Sequence, residues 1–489
     1  MRCSVAIRLV VLALWPLVSV ATSADYSPEV QKRIAAVEQG LIPAVRIKGR
    51  TVPKSITDRL AQDHVPAVSV AVINNYQIEW AKGYGVADAT AGGPVTSETL
   101  FQAASMSKPV TALAALKLVE AGTFELDADV NKQLKSWHVP ENDFTRQHAV
   151  DLRGLLSHTA GLTVHGFPGY AVGATLPTVP QILDGLKPAN TAPVRVDKVP
   201  GHGFRYSGGG TTIVQMLLTD VTQRPFADLM RETVLAPLEM SSSTFAQPLP
   251  ESLQPRAATA HNDRGQPVVG RWHVYPEQAP AGLWTTPSDM ARYAIELQLT
   301  HEGKSQRILS REMIDQMLTP QGGGPVGLGP FLVTRGTTRR FEHGGGNEGF
   351  RCNFIALLDR GQGAVVMTNS DAGNRAVNET MNAIAIVYAW PDFLPEEREM
   401  VHSEADQLER FVGSYALNAA SVAMVSRQED RLFVKLPRQA AFELYPQSAT
   451  EFITEEPEVS GGWVIDAQGA IEAVTFNFDG RRVRAKRVP

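Results

Sequence analysis

Cysteine is almost missing from this chain. Its 489 residues include two, Cys3 and Cys352, and Cys3 falls in an N-terminal stretch that reads as a removable leader. A mature chain with Cys352 alone has no internal disulfide and no cysteine-based metal site, so packing must supply its stability. Blocks of like charge are also missing. The 46 basic residues are matched by 51 acidic ones, for a formal net charge of −5, which removes nucleic acid and anionic membrane surfaces from the expected partners. Beyond the N-terminus no apolar run reaches the roughly 20 residues a spanning helix needs. There is no Gly-x-Ser-x-Gly elbow, no His-Glu-x-x-His pair, no phosphate loop and no dinucleotide fingerprint. No metal and no cofactor are therefore expected. What remains is ordinary globular composition, 43% hydrophobic and 20% charged, at a length that suggests two or three domains.

The first 24 residues, MRCSVAIRLVVLALWPLVSVATSA, have the layout of a secretory signal. Arg2 and Arg8 precede an apolar core from Leu9 to Val20, and small residues follow at Ala21, Thr22 and Ala24. Cleavage after Ala21 or Ala24 is expected, with delivery to the periplasm or the outside of the cell and no membrane span afterwards.

Downstream, VPAVSVAVINNYQIEWAKGYGVAD (65–88) alternates like a β-hairpin. The text from about 125 to 320 is helical and loop-like. Strand character returns over 340–359 and 364–370, and a helical run spans about 373–389. Strands at both ends of a region with helices between them predict an α+β domain, an antiparallel sheet flanked by helices with a helical subdomain beside it. PDFLPEER (391–398) reads as a linker. Beyond it, FVGSYAL, SVAMVS, RLFVKL, FELYP, EFITEE, GWVIDAQG, AVTFNFDG and RVRAKRV are short alternating segments at close spacing, the pattern of a small all-β barrel or sandwich. The expected boundaries are a signal over 1–24, a first domain over 25–395 and a barrel over 400–489.

Chemistry enters at FQAASMSKPVTALAALKLVEAG (101–122). The helix is expected to start near Met106 and stop at Gly122, with Pro109 tolerated in its first turn. Ser105 and Lys108, three apart, then share one face, about 5–6 Å apart at Cβ. Free N–H groups and the positive end of the helix dipole favour an oxyanion at Ser105. The same dipole and burial push a lysine amine toward neutrality, where it can serve as a base. Two glycine-rich stretches follow. RYSGGG (205–210) sets Tyr206 before a tight turn, and FEHGGGNEGF (341–350) sets His343 before three glycines in strand-like context. Glycines there let a substrate backbone approach a strand edge.

The order of these motifs resembles the penicillin-binding protein and class C β-lactamase superfamily of serine hydrolases, peptidase S12-like and family VIII esterase-like. LRGLLSHTAGL (152–162), PFADLMRETVLAPLEM (225–240) and AGLWTTPSDMARY (281–293) look like its connecting signatures, and the C-terminal segment resembles the lipocalin-like barrel often appended to its members. The resemblance covers roughly residues 55–390. It implies a β-lactamase/transpeptidase-like fold in which Ser105 forms an acyl-enzyme while Lys108 and Tyr206 share proton transfer. It also implies that His343 orients Tyr206 or the substrate. The N–H groups of Ser105 and of the strand near Gly346 would form the oxyanion hole, with Gly344, Gly345, Ser207 and Gly208 beside the substrate. Two positions depart from the family pattern: Gly208 stands where asparagine is usual, and His343 stands where lysine is usual. The second departure looks like the esterase and D-aminopeptidase-like branches.

The expected activity is therefore hydrolysis of an ester or amide, a D-amino-acid-containing peptide among the candidates. The alternatives are a low-activity β-lactamase or DD-carboxypeptidase, and a penicillin-binding sensor that does not turn over. A small-molecule substrate is the expected partner, with homo-oligomers through the barrel as a further expectation. His165, Tyr170, Trp272, Tyr275 and Glu348 are candidate pocket residues. His158 is expected to cap a loop or helix, and Cys352 to be a buried strand residue.

Overall fold

The computed structural model describes residues 26–401, 405–418, 421–437, 441–455, 459–478 and 481–488; the signal expected over 1–24 lies outside them. Seven strands form one antiparallel sheet: β1 (Ala67–Asn74), β2 (Gln77–Asp88), β3 (Gly92–Pro94), β4 (Phe331–Arg335), β5 (Thr338–Asn347), β6 (Phe350–Leu357) and β7 (Gln362–Thr368), in the order β3-β2-β1-β7-β6-β5-β4. The two ends of the domain thus meet at the β1–β7 pairing, where Val70 faces Val366. Strand β1 is buried along nearly its whole length because both sheet faces are covered. Val68, Val70 and Val72 pack toward α1 (Pro28–Glu38) and α7 (Asn374–Val387). Ala67, Ala71 and Ile73 face the larger core, which holds α2 (Ser107–Glu120), α4 (Gly208–Thr222) and α6 (Pro287–His301). The helical subdomain also contributes the short helices α3 (Leu152–Ser157) and α5 (Gln278–Ala281).

The 65–88 hairpin forms, with Asn75 and Tyr76 both at positive φ, the turn that matches the twist of the flanking strands. Gly122 closes the end of α2 at φ +71°, a backbone that costs a glycine little. Part of the expected linker is ordered differently. Glu396–Arg398 pair in parallel with Val45–Ile47, a contact whose exposed Glu-Glu-Arg segment carries no alternation to announce it.

Eight strands, β8 (Gly413–Asn418), β9 (Ser421–Gln428), β10 (Arg431–Lys435), β11 (Phe442–Pro446), β12 (Glu451–Ile453), β13 (Val459–Ile465), β14 (Ile471–Phe478) and β15 (Arg481–Val488), close into a barrel. Each pairs with the next, and β8 with β15. The interior is filled: Trp463 stacks on Phe411 at 4.5 Å between centroids and lies against Tyr415 and Phe452. Closure removes the free edges that short alternating strands would otherwise expose.

Candidate active site

Ser105 sits in a single 3-10 turn (Ala104–Met106) that runs into α2. Ala104, just before it, has φ +48°, a left-handed backbone that costs a residue with a Cβ about 1–3 kcal/mol. That turn is pressed against the glycine strand. A Cβ on Gly345 would lie 2.3 Å from the Ala103 carbonyl oxygen and 2.6 Å from Cys352 Sγ, so only glycine lets β5 pass this close. Gly345→Ala is expected to cost about 1–3 kcal/mol by pushing the Ser105 turn away from β5, read as a fall in Tm. Strand β4 pairs with β5 only as far as Glu342, which leaves the Gly344–Asn347 edge uncovered beside Ser105.

One turn along α2, Lys108 is almost wholly enclosed, 5% exposed. Its Nζ lies 2.9 Å from Ser105 Oγ and donates to the Pro280 carbonyl at 3.0 Å. Among the described residues no carboxylate pairs with it. Burial without a counter-charge pushes its pKa down to about 7, because desolvation penalises the ammonium. Nζ also lies 4.9 Å from the Tyr206 ring centroid. Burial pushes the Tyr206 phenol up, an effect opposed by its side-chain interaction with Ser105, so Tyr206 stays protonated at neutral pH.

The Tyr206 ring collects its neighbours from four segments distant in sequence: His158 at 4.4 Å, His165 at 4.8 Å, Phe331 stacked at 6.1 Å, and His343 at 6.1 Å. His343 is 2% exposed. Its Nδ1 donates to its neighbour's carbonyl, Gly344 O, at 2.6 Å, and Nε2 has no partner. Burial, reinforced by Lys108, lowers its pKa to about 3, so this imidazole is uncharged across the physiological range.

The structure divides the remaining sequence candidates. His165 lies on the Tyr206 ring and is exposed. Ser207 is the N-cap of α4: its Oγ accepts from Gly210 N–H at 2.9 Å and donates to the Thr163 carbonyl at 2.6 Å. Its hydroxyl is thereby committed, and Gly208 packs under His165 and Phe167. Tyr170 and Tyr275 are buried at 6% and 0% exposure, Tyr275 OH accepting the Glu348 N–H at 3.0 Å. Glu348 is exposed at the β5–β6 turn. Trp272 belongs to the core rather than the cleft, packed edge-on against Trp284 at 5.0 Å; its position in an aromatic-rich segment does not reveal which rings turn inward. Arg351 pairs with Asp371 at 2.8 Å. A cavity of about 330 Å³ lies between Gly344–Gly346, Arg351, Asn353 and the start of α7 at Asn374, Val377 and Asn378, and Ser105, Lys108 and Tyr206 do not line it.

Sequence reasoning missed Pro280, whose carbonyl anchors Lys108, and Asn347, whose side chain donates to Gln102 Oε1 and the Ala281 carbonyl. It also missed Glu277, which leads into α5 with 0% exposure and has the Tyr170 side chain as its polar neighbour. Burial raises its pKa to about 7 from 4.5. The folded state therefore binds the proton more tightly. The associated stability is present below pH 4.5 and is lost as pH rises through about 7, up to about 3 kcal/mol in all. Glu277→Gln is expected to remove this loss: the variant's gain over wild type should widen between about pH 5 and pH 8 in denaturant unfolding.

A family model described as Beta-lactamase matches residues 52–389. The chain is 21% identical over 464 residues to Penicillin-binding protein 4* of Bacillus subtilis (strain 168), covering 89% of this chain and 98% of that protein. It is 29% identical over 224 residues to Esterase EstB of Burkholderia gladioli, covering 44% of this chain and 55% of that protein. Among solved structures, the octameric penicillin-binding protein homologue from Pyrococcus abyssi superposes with a TM-score of 0.58 at 21% identity, covering 88% of this chain and 98% of that one.

Proposed function

The chain belongs to the Beta-lactamase family, a fold family of serine hydrolases, and on that premise we propose that it hydrolyses esters or amides through an acyl-enzyme on Ser105. The observation that carries this reading is the Lys108 amine, stripped of counter-charge and 2.9 Å from Ser105 Oγ. Above about pH 7 the neutral amine accepts the serine proton as Oγ attacks the acyl carbon. The bond to the leaving group then breaks, and the leaving atom takes the proton of the Tyr206 hydroxyl, which Lys108 replenishes. Water repeats the sequence in reverse to release the acid. Such base assistance supplies about 10²–10⁴ in rate. In this reading the N–H groups of Ser105 and Gly346 hold the oxyanion, which contributes a comparable factor.

His343 bears on the substrate. An uncharged imidazole offers no cation to a substrate carboxylate, which favours ester or amide donors without one, D-aminoacyl donors included, over β-lactams. Esterase EstB among the relatives agrees with ester chemistry. Export to the periplasm or beyond is proposed on residues 1–24 alone.

The test is a panel of a nitrophenyl ester, a D-alanyl anilide and a chromogenic cephalosporin, followed by intact mass and peptide mapping. Multiple turnovers with the acyl adduct mapped to Ser105 are expected. A stoichiometric adduct without turnover would make the protein a sensor, and an adduct elsewhere would remove Ser105 from its role.

A further inference from the structure

His158 caps α3 with its backbone in the left-handed region, φ +60° and ψ +34°. Glycine or asparagine is usual at such a cap, and a histidine there pays a conformational cost that its side chain must justify. Its contacts show where the return comes from. The His158 carbonyl accepts the Arg205 N–H at 2.8 Å, and His158 Nδ1 accepts the Ser207 N–H at 3.2 Å. Those two N–H groups belong to Arg205 and Ser207, the chain neighbours of Tyr206. The imidazole itself lies on the Tyr206 ring at 4.4 Å, tilted by 37°, and is buried, 3% exposed.

We propose that His158 is a positioning residue that clamps Tyr206 at three points, two through the N–H groups of its chain neighbours Arg205 and Ser207 and one through its ring, so that the phenol keeps its reach to the leaving group. This inference rests on the role given to Tyr206 above. An amide donor requires a lone pair on Nδ1, so the ring proton is on Nε2. Burial, together with the nearby Lys108, His343 and His165, keeps the imidazole from taking a second proton. The acceptor at Nδ1 is thus present at every working pH, and the clamp is a fixed device. Its ring adds no charge that would stabilise a phenolate, which agrees with Tyr206 acting from its protonated form.

A leaving-group comparison isolates the effect, because a nitrophenolate departs without a proton whereas an alkoxide does not. His158→Gly relieves the left-handed strain and removes both the Nδ1 acceptor and the ring. A displacement of catalytic groups by about 1 Å costs about 10²-fold. Accordingly, kcat/KM for an alkyl ester is expected to fall by about 30-fold or more, while the nitrophenyl ester of the same acid loses less than about threefold. Tm should stay within a few degrees of wild type. His158→Asn, which suits the left-handed backbone and keeps an acceptor near the Nδ1 position, should recover most of the alkyl ester activity. Equal losses on both esters, or none, would overturn the clamp and leave His158 a helix cap. If His158→Gly does not fold, His158→Ala against His158→Asn supplies the same comparison. Ser105→Ala run in parallel separates the two ideas. Turnover surviving there would count against the acyl-enzyme reading, whereas silence there with no leaving-group selectivity in His158→Gly would count against the clamp alone.

Discussion

Ser105→Ala is expected to reduce ester turnover by about six orders of magnitude, the scale on which loss of a serine nucleophile acts when its supporting groups remain. The substitution removes one oxygen from a half-buried side chain and leaves the 3-10 turn, the Ala104 backbone and the close approach of Gly345 untouched. Its cost to stability should therefore be small. Far-UV spectra and Tm should match wild type while burst amplitude, acyl mass shift and steady-state rate all vanish. Lys108 loses one of its two polar contacts and keeps the Pro280 carbonyl. Substantial residual turnover in a folded variant would mean that another group attacks the acyl carbon.

Lys108→Met is expected to lower kcat/KM by about 10²–10⁴, the range ascribed to a positioned base. Wild-type kcat/KM should rise with pH through about 7 and level above it, because the neutral amine, favoured above its depressed pKa, is the competent form. In the methionine variant this limb should disappear along with the rate. Stability should move the other way. The folded lysine gives up its proton at about 7 rather than 10.5, so the unfolded state binds the proton more tightly, and the buried amine opposes folding fully below about pH 7 and progressively less as pH rises toward 10.5. A methionine of similar length carries no such penalty, and its Tm at pH 7 should equal or exceed that of wild type. A variant that is both less stable and less active would assign Lys108 a packing role instead. The same experiment separates Lys108 from Tyr206, whose elevated pKa predicts no ionisation in that window.

These two effects differ in how far the sequence foretold them. The pairing of Ser105 with Lys108 was legible, since three residues of helix place two side chains on one face whatever surrounds them. The neutrality of Lys108 was legible only as a tendency. Its cause is enclosure by the Pro280 segment and Tyr206, elements far away in the chain.

What the sequence determined by itself is what local periodicity and backbone stereochemistry encode. The hairpin over 65–88, the helix behind Ser105 ending at Gly122, and the alternation that closes into an eight-stranded barrel follow from spacing and from glycine's freedom. The glycines at 344–346 were legible as a place of close approach, though not what approaches, which is the Ala103 carbonyl. Tertiary structure alone decided that Tyr206, His158, His165, Phe331 and His343 meet around one ring. It alone turned Trp272 into the core, committed the Ser207 hydroxyl to a helix cap and buried Glu277 away from any counter-charge. The physical reason is that desolvation and side-chain contact depend on what closes over a group. In this fold the closing elements, among them His158, Tyr206, the Pro280 segment and the Phe331–His343 hairpin, are far apart in the chain, and no local pattern records them.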